Sequence, residues 1–338
     1  MGVKVGINGF GRIGRMIAVA ASEERFKSIE IVAINDLATP GQMAHLLKYD
    51  SVHGRFEGDV KSGRKDITLN GKKIVTSHEV DPSKINWKSN SVDIVLECTG
   101  VFKKRQEAQS HFANGAKFIL ISAPSNDADI TLCFGVNDDA FKPDKHKIIS
   151  NASCTTNCVA PVAKIIDDAF KIKNAMMTTV HSYTSDQRLL DNRHSDLRRA
   201  RAAALSIIPT STGATKAVEK ILPNLKNRLT GIAIRVPTPN VSMVDLTVLL
   251  EKNATEKSIN NLFKKASKDK YSKILSYSDD ELVSVDFNGS PFSAIFDAPL
   301  TQVTGGKLAK VFAWYDNEVG FSHRMIDLAS LIGKRAKL

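Results

Sequence analysis

Cysteine and long apolar segments are both scarce in this sequence. Four cysteines in 338 residues do not make a disulfide framework. No apolar run approaches the roughly 20 residues that a membrane-spanning helix needs, so we expect no transmembrane segment. The first residues enter an apolar strand without a charged-then-apolar leader, so we expect no signal peptide. A reducing cytoplasm is therefore the simplest expected location.

The sequence also lacks a zinc-binding pattern and a nucleic-acid-reading motif. Cys154 and Cys158 lie four positions apart, but Cys98 and Cys133 do not supply a second ligand pair, so no metal is predicted. The spacing leaves open whether Cys154 and Cys158 form a regulatory disulfide. The formal charge is +11, yet the one dense basic cluster, residues 193–201, has no interleaved aromatic residues. Nucleic-acid binding therefore remains only as a secondary role.

The length of the chain and its pattern of strands and helices are those of a two-domain protein. Its 338 residues exceed what a single core usually organises. Over the first 150 residues, Val/Ile-rich runs such as residues 3–8 and 29–35 alternate with helical spacing, as at residues 12–22. This alternation predicts a parallel sheet that is covered on both faces. After Cys154 strands dominate, and the alternating residues Val283–Phe287 predict a strand of an antiparallel sheet.

A glycine motif follows the first apolar strand directly. Gly9, Gly11 and Gly14 form the pattern G-x-G-x-x-G and open a helix-like run, and Asp36 comes 22 residues after Gly14. In the dinucleotide fingerprint, the glycines let the backbone approach a pyrophosphate at the helix N-terminus, and the acid binds the ribose hydroxyls. The motif therefore predicts NAD binding, and a tight structural turn with an unrelated acid is the alternative.

Cys154 lies between an apolar run at residues 147–149 and a helix-like run at residues 159–170. Unpaired N–H groups and the positive end of the helix dipole gather at a helix start, where they push a thiol toward the nucleophilic thiolate. The neighbours of Cys154 are small and polar, whereas an inert core cysteine has apolar neighbours. We therefore predict a reactive thiol, with a buried inert cysteine as the alternative.

Three further positions are candidate functional sites. His181 ends an apolar strand and precedes a long polar stretch, residues 184–200, so we predict a proton acceptor beside a functional loop. A structural histidine is the alternative. Residues 210–214 precede a helix-like run and form either an anion site or a simple helix cap. Arg235 lies within an apolar strand, where a bound phosphate would be a suitable partner.

Several motifs together resemble the phosphorylating glyceraldehyde-3-phosphate dehydrogenases. The most specific are Gly9–Gly14, Ser153–Asn157 and Trp314–Glu318, and the similarity runs essentially from end to end. The resemblance implies an α/β fold with two domains. These are a Rossmann-type parallel-sheet dinucleotide domain at residues 1–152, completed by a C-terminal helix at 318–338, and an α+β catalytic domain with a largely antiparallel sheet at 153–317.

The resemblance also implies a mechanism. Cys154 would attack glyceraldehyde 3-phosphate to give a thiohemiacetal, with His181 as the general base. Hydride transfer to NAD would leave a thioester, which inorganic phosphate would cleave to release 1,3-bisphosphoglycerate. The family works in glycolysis and gluconeogenesis as a homotetramer, and the direction of the reaction in the cell stays open.

Further binding roles follow from the same resemblance. The NAD contacts would be Gly9, Gly11, Arg12, Ile13, Asp36, Ser122 and Asn317. The substrate phosphate would be held by Thr184 and Arg235, and the attacking phosphate by Ser153, Thr155, Thr212 and Gly213. Arg199 would bridge toward both anions.

The sequence departs from the family at two places. At Thr76–Val80 it lacks the basic residue that the family often has near the adenine, so we assign no adenine contact there. At Asn192-Arg193 it has a polar pair where NAD-only relatives often have an apolar residue and a proline. An arginine beside the adenosine ribose of an adjacent subunit would pair with a 2′-phosphate. We therefore predict that NADP is tolerated beside NAD, although Asp36 opposes it.

Two other functions are weighed against this one. An erythrose-4-phosphate dehydrogenase would hydrolyse the acyl-enzyme instead of phosphorylating it. The sequence at Thr212–Lys216 and Thr184 favours the phosphorylating reaction. A non-enzymatic binding protein is the second alternative, suggested by the charge of +11. The presence of both Cys154 and His181 makes any such role secondary.

Overall fold

Strands and helices alternate along the N-terminal part of the computed structural model, which describes residues 2–338. The strands up to residue 152 are β1 (Val3–Asn8), β2 (Ile29–Asn35), β3 (Tyr49–Asp50), β4 (Gly54–Arg55), β5 (Val60–Ser62), β6 (Asp66–Leu69), β7 (Lys72–Ser77), β8 (Ile94–Glu97), β9 (Phe118–Ile121), β10 (Ile130–Thr131) and β11 (Ile148–Ser150). The helices are α1 (Arg12–Ala20), α2 (Pro40–Lys48) and α3 (Arg105–Ala108).

Nine of these strands form one mixed sheet in the order β10-β11-β9-β8-β1-β2-β7-β6-β5. The pairs from β10 to β7 are parallel, while β5–β6 and β6–β7 are antiparallel. The central strands β1 and β8 are almost wholly buried, as expected for strands that are covered on both faces. Strands β1, β2 and β8 are neighbours, so their carboxyl ends lie together at one edge of the sheet.

The C-terminal part of the chain is richer in long strands. Its elements are α4 (Cys154–Phe170), β12 (Ile172–Ser182), β13 (Ile208–Ser211), α5 (Ala214–Ile221), β14 (Leu229–Val236), β15 (Ser242–Leu250), α6 (Glu256–Ala266), β16 (Leu275–Ser278), β17 (Ala294–Thr304), β18 (Leu308–Tyr315) and α7 (Val319–Ala336). The seven strands form a second sheet in the order β13-β14-β12-β15-β18-β17-β16. Four of its six strand pairs are antiparallel. The predicted α/β class with a parallel and a largely antiparallel sheet is confirmed.

The described chain divides into two compact units. The first unit holds residues up to 134, 138–152 and 321–338, and the second holds 135–137 and 153–320. Most of α7 therefore belongs to the first unit, where a side chain added at Gly333 would meet Val3 at 2.2 Å. His323 contacts Glu23 at 2.8 Å in the same unit. No helix within residues 2–338 combines the length and apolar character that a bilayer-spanning segment requires.

The sequence prediction was wrong for Val283–Phe287. The structure has a 3₁₀ turn at Ser284–Phe287, and Val283 and Val285 are exposed. The alternating residues form a turn because the Asp286 carboxylate accepts the Val283 N–H at 2.8 Å. The predicted loop after His181 is confirmed, because residues 183–207 contain turns and one isolated bridge but no helix or strand.

Candidate active site

Cys154 is the first residue of helix α4, and Ser153 caps that helix. The Ser153 Oγ accepts the Thr156 N–H at 3.0 Å, which satisfies one of the donors that a helix start leaves unpaired. The Cys154 side chain is only partly exposed. A helix of 17 residues therefore directs its N-terminus at the thiol.

The thiol faces His181, which lies near the end of β12. The Cys154 Sγ and His181 Nε2 are 3.4 Å apart, within hydrogen-bond range for sulfur. His181 is buried, and its ring meets that of Tyr315 edge-to-face at a centroid distance of 5.9 Å. The structure thus brings together the two residues that the sequence singled out for nucleophile and base.

Burial raises the pKa of the Cys154 thiol above its ordinary value. The Arg235 charge and the Thr155 N–H oppose this rise without overcoming it. The reactivity of Cys154 stays a prediction. Removing the sulfur from water disfavours its charged form, so the resting sulfur is a thiol beside an imidazole.

Burial and the nearby Arg235 charge together lower the pKa of His181 to about 3. The ring is therefore neutral at physiological pH. Its Nδ1 lies 2.7 Å from the Ser182 carbonyl oxygen and close to the Arg235 Nη1, which can only donate. A base acting on Cys154 requires the tautomer in which Nδ1 donates to the Ser182 carbonyl and the Nε2 lone pair faces the thiol.

Arg235 lies beside the imidazole because β14 pairs with β12 in a register that sets Arg235 opposite His181. Its Nη1 is 2.8 Å from the His181 Nδ1 and donates to the Ser182 carbonyl at 2.9 Å. The Arg235 Nε is buried and has no hydrogen-bond partner within residues 2–338. A buried guanidinium with a vacant donor is suited to an anionic ligand.

Arg199 comes from the long loop and is held by three partners. Its guanidinium donates to the Asp186 carboxylate at 2.5 Å, to the Thr210 hydroxyl at 3.0 Å and to the Ser211 carbonyl at 3.1 Å. Although burial acts against it, the Arg199 guanidinium keeps the pKa of Asp186 below its usual value. Sequence reasoning missed Asp186, and the one available signal was its position at the start of the polar stretch.

The remaining residues predicted to bind phosphate take different positions. Thr212 and Gly213 lie at the start of α5, where the Thr212 Oγ1 accepts the Ala214 N–H at 3.2 Å. Thr184 is partly buried at the start of the loop. Thr155, in contrast, is buried with its hydroxyl 2.8 Å from that of Tyr315. That hydroxyl is already engaged, so the backbone N–H is the group that Thr155 offers near the thiol.

Tyr315 was also missed by sequence reasoning. Its hydroxyl lies between those of Thr155 and Thr179, at 2.8 and 2.9 Å, and it is fully buried. Burial raises its pKa well above the ordinary value, so the phenol stays protonated. A packed tyrosine that joins α4, β12 and β18 fixes the helix start against the sheet.

Asn317 follows β18 and is oriented by two serines. The Ser182 and Ser242 hydroxyls donate to its Oδ1 at 2.7 and 2.9 Å. The Ser242 oxygen also accepts the Ser182 N–H at 3.1 Å. Because the side-chain oxygen of Asn317 takes both hydroxyl protons, its N–H donors are the groups that remain for a ligand.

The glycine motif of the first unit has the geometry of a close turn. Gly9 has φ +91°, and a Cβ there would lie 2.7 Å from the Thr99 nitrogen. A Cβ on Gly14 would lie 2.2 Å from the Gly9 carbonyl oxygen. Gly11 precedes the first residue of α1, and nothing lies within 4 Å of the position of its Cβ. A bare backbone thus faces the start of a nine-residue helix, which fits a pyrophosphate.

The other predicted cofactor residues of the first unit surround this turn. Asp36 accepts the Phe10 N–H at 2.6 Å and the Ala38 N–H at 2.9 Å. Arg12 pairs with Asp50. Although burial alone would raise it, Arg12 and two backbone N–H groups hold the pKa of Asp50 below its usual value. Ile13 lies in the first turn of α1, and Ser122 follows β9, where its N–H donates to the Glu97 carbonyl at 3.0 Å.

The described residues contain no group of three or more His, Cys, Asp or Glu side chains suited to a metal ion. All four cysteines are free thiols. Cys158 is buried, with its Sγ 3.8 Å from the Ala313 carbonyl oxygen.

Comparison with known proteins identifies relatives over both parts of the chain. Residues 3–105 match the family model described as glyceraldehyde 3-phosphate dehydrogenase, NAD binding domain, and residues 153–317 match the corresponding C-terminal domain. The glyceraldehyde-3-phosphate dehydrogenase of Geobacillus stearothermophilus is 54% identical over 335 residues, which cover 99% of each chain. Glyceraldehyde-3-phosphate dehydrogenase 1 of Bacillus subtilis is 52% identical, with the same coverage. The glyceraldehyde-3-phosphate dehydrogenase of Streptomyces coelicolor is also 52% identical, over 99% of this chain and 100% of its own.

We expect alkylation of Cys154 by iodoacetamide, without cofactor, to accelerate as the pH rises into the alkaline range. The thiolate is the reactive form, and burial raises the pKa at which it appears. Arg235→Leu removes the charge that opposes this rise, so its rate–pH profile should lie at higher pH. Mass spectrometry of the Cys154 peptide measures the rate. The control is Arg228→Leu, since Arg228 donates to the Ile172 carbonyl. A profile that levels off near neutral pH and is the same in Arg235→Leu would contradict this expectation.

Proposed function

This chain belongs to the glyceraldehyde-3-phosphate dehydrogenase family, and we propose that it is a glycolytic enzyme that oxidises glyceraldehyde 3-phosphate with NAD and inorganic phosphate to 1,3-bisphosphoglycerate. The observation that carries the proposal is the 3.4 Å contact between the Cys154 thiol and a neutral His181 at a helix N-terminus. The curated relatives share the family name over the full chain, and none of those compared above is named as an erythrose-4-phosphate dehydrogenase.

The first step transfers the thiol proton to the His181 Nε2 while the Cys154 sulfur bonds to the aldehyde carbon, and Nε2 then returns this proton to the substrate oxygen. Because the resting sulfur is protonated, this base makes the nucleophile at the moment of attack. The resulting thiohemiacetal holds the substrate on α4, where the helix N-terminus stabilises charge that develops on the substrate oxygen.

Bound NAD supplies the acceptor for the hydride that leaves the former aldehyde carbon. His181 takes the hydroxyl proton of the thiohemiacetal, and a thioester remains on Cys154. Inorganic phosphate then attacks the acyl carbon, the carbon–sulfur bond breaks, and the sulfur recovers its proton from the His181 Nε2. A thioester retains the energy of the oxidation, which an ester would lose, so the product is an acyl phosphate.

Two anion sites complete this proposal. Arg235 and Thr184 would hold the substrate phosphate, which the vacant donor of the buried Arg235 supports. Ser153, Thr155, Thr212 and Gly213 would hold the attacking phosphate, with the starts of α4 and α5 as supporting features. Arg199 would serve both anions.

The NAD contacts are proposed residue by residue from the family. Gly9, Gly11, Arg12, Ile13, Asp36 and Ser122 belong to the first unit, and the amide donors of Asn317 would meet the nicotinamide. We propose residues 1–152 with 318–338 as the dinucleotide domain and 153–317 as the catalytic domain. The proposed location is the cytoplasm.

We expect Cys154→Ser to abolish NADH formation and His181→Asn to lower kcat by about 10²- to 10⁴-fold, the usual contribution of a general base. The assay follows NADH absorbance with glyceraldehyde 3-phosphate, NAD and phosphate. Omitting phosphate should stop turnover after one equivalent of NADH per thiol. Sustained turnover without phosphate, or faster turnover of erythrose 4-phosphate, would favour the hydrolytic alternative. An unchanged rate in Cys154→Ser would contradict the proposal itself.

Tolerance of NADP stays a prediction based on Asn192-Arg193. Arg193 is exposed, and its carbonyl accepts the Arg188 Nε–H at 3.2 Å, so its own guanidinium is not needed for that contact. We expect turnover with NADP at a lower kcat/KM than with NAD, and a further loss of about tenfold for NADP alone in Arg193→Leu, as one charged contact is removed. Arg198→Leu is the matched loop control. Activity with NAD only, unchanged in Arg193→Leu, would contradict this prediction.

Two exposed apolar surfaces of the second unit support a homotetramer. Helices α4 and α6 pack on its sheet, yet the sheet also exposes Met176 (70%), Ile232 (49%) and Leu308 (47%). The loop at residues 183–207 exposes Leu189, Leu190, Leu197, Leu205 and Ile207. Apolar surface of this extent is typical of a subunit interface, and further copies of the same chain would cover it.

We expect light scattering to give four times the 36.9 kDa chain mass. Met176→Glu places a charge on the exposed sheet face, so its mass should fall to that of a dimer or monomer. The control is Val80→Glu, since Val80 is 75% exposed in the first unit. A monomeric wild type, or an unchanged mass in Met176→Glu, would contradict the assignment of this face as an interface.

A further inference from the structure

Three buried polar residues form one row at the carboxyl ends of adjacent parallel strands. In the strand register Asn8 of β1 is opposite both Asn35 of β2 and Glu97 of β8. Their exposed fractions are 2%, 3% and 1%. The residues that follow them in the chain are Gly9, Asp36 and Cys98, at the edge of the sheet that carries the glycine turn.

Glu97 accepts four hydrogen bonds inside the protein. Its Oε1 accepts the backbone N–H of Thr99 at 2.9 Å and the Thr99 hydroxyl, and its Oε2 accepts the Asn8 amide at 2.6 Å and the His111 Nε2–H at 3.1 Å. Two donors on each oxygen fill the usual acceptor capacity of a carboxylate. A polar side chain this deeply buried is stable only when its hydrogen-bonding capacity is used.

The proton on His111 is fixed by Trp87. The indole N–H can only donate, and it donates to the His111 Nδ1 at 3.1 Å. The His111 Nδ1 therefore carries no proton, and Nε2 is the donor toward Glu97. Trp87, His111 and Glu97 are each 1% exposed or less. Their protein partners alone therefore set the direction of each hydrogen bond.

This chain of hydrogen bonds ends at the glycine turn. Asn8 accepts the Asn35 amide at 2.9 Å, and the Asn35 carbonyl accepts the Gly9 N–H at 2.8 Å. Thr99, the other partner of Glu97, is the residue against which a Cβ on Gly9 would collide. Gly9 thus bonds to the backbone of Asn35, whose side chain is linked through Asn8 to Glu97.

We propose that Glu97 is a positioning residue for NAD: through Asn8 and Thr99 it holds the glycine turn in the form that receives the dinucleotide. The inference rests on the proposed function, since it presupposes that NAD binds at this turn. Glu97 itself lies beneath the surface and makes no contact with the reacting atoms.

The test is the affinity of the full-length protein for NAD, measured by titration calorimetry. In Glu97→Gln an amide nitrogen replaces one oxygen, so its N–H groups face two of the four donors. We expect Kd to rise at least about tenfold, which is about 1.4 kcal/mol. The matched control is Glu30→Gln, which removes the same charge from the exposed face of β2. Its Kd should stay within about twofold of wild type.

A second readout separates positioning from loss of fold. Alkylation of Cys154 by iodoacetamide, in the absence of NAD, should have the wild-type rate in Glu97→Gln. If that variant does not fold, His111→Leu and His111→Gln decide. The glutamine keeps a donor for Glu97 and should recover much of the affinity that the leucine loses. Equal affinities in these two variants would overturn the inference.

The outcomes are distinguishable from a failure of the proposed function. If the wild type binds NAD and Glu97→Gln binds it equally well, this inference is overturned and the proposed function stands. If the wild type does not bind NAD, both are overturned.

Discussion

The register of β12 between β14 and β15 is the constraint on which the thiol site depends. That register sets Arg235 opposite His181 and brings Ser242 within reach of Ser182. A shift by one residue would turn each of these side chains to the other face of the sheet. The imidazole would then lose its cation and its position beside the sulfur. Since both neighbouring strands fix β12, the geometry does not rely on the long loop.

Burial is the largest influence on the pKa values of the two reacting groups. It raises the pKa of Cys154 and lowers that of His181, so both groups are neutral in the resting protein. A neutral pair costs less to bury than an ion pair would. Arg235 acts against the rise at Cys154 and adds to the fall at His181. The same cation therefore favours the thiolate and disfavours the imidazolium.

Much of the fold and of the site could be predicted from local patterns. The glycine motif, the strand ends and the cysteine at a helix start are short-range features, so the sequence displays them directly. The raised pKa of Cys154 could not be foreseen, because it depends on how deeply distant strands bury the sulfur. Tyr315 was missed because its partners lie far along the chain. Asp186 was missed because no sequence pattern links it to Arg199 of the same loop. The error at Val283 arose because alternation alone does not distinguish a strand from a capped turn.

The C-terminal helix α7 completes the unit in which the chain begins. Its Gly333 packs against Val3, its His323 meets Glu23, and its Arg324 is buried there with Asp327. None of these contacts can form before the ribosome has reached α7. The second unit, residues 153–320, is complete in sequence earlier. During synthesis the unit that begins first is therefore completed last. Its sheet is not covered by α7 until after the second unit has been made.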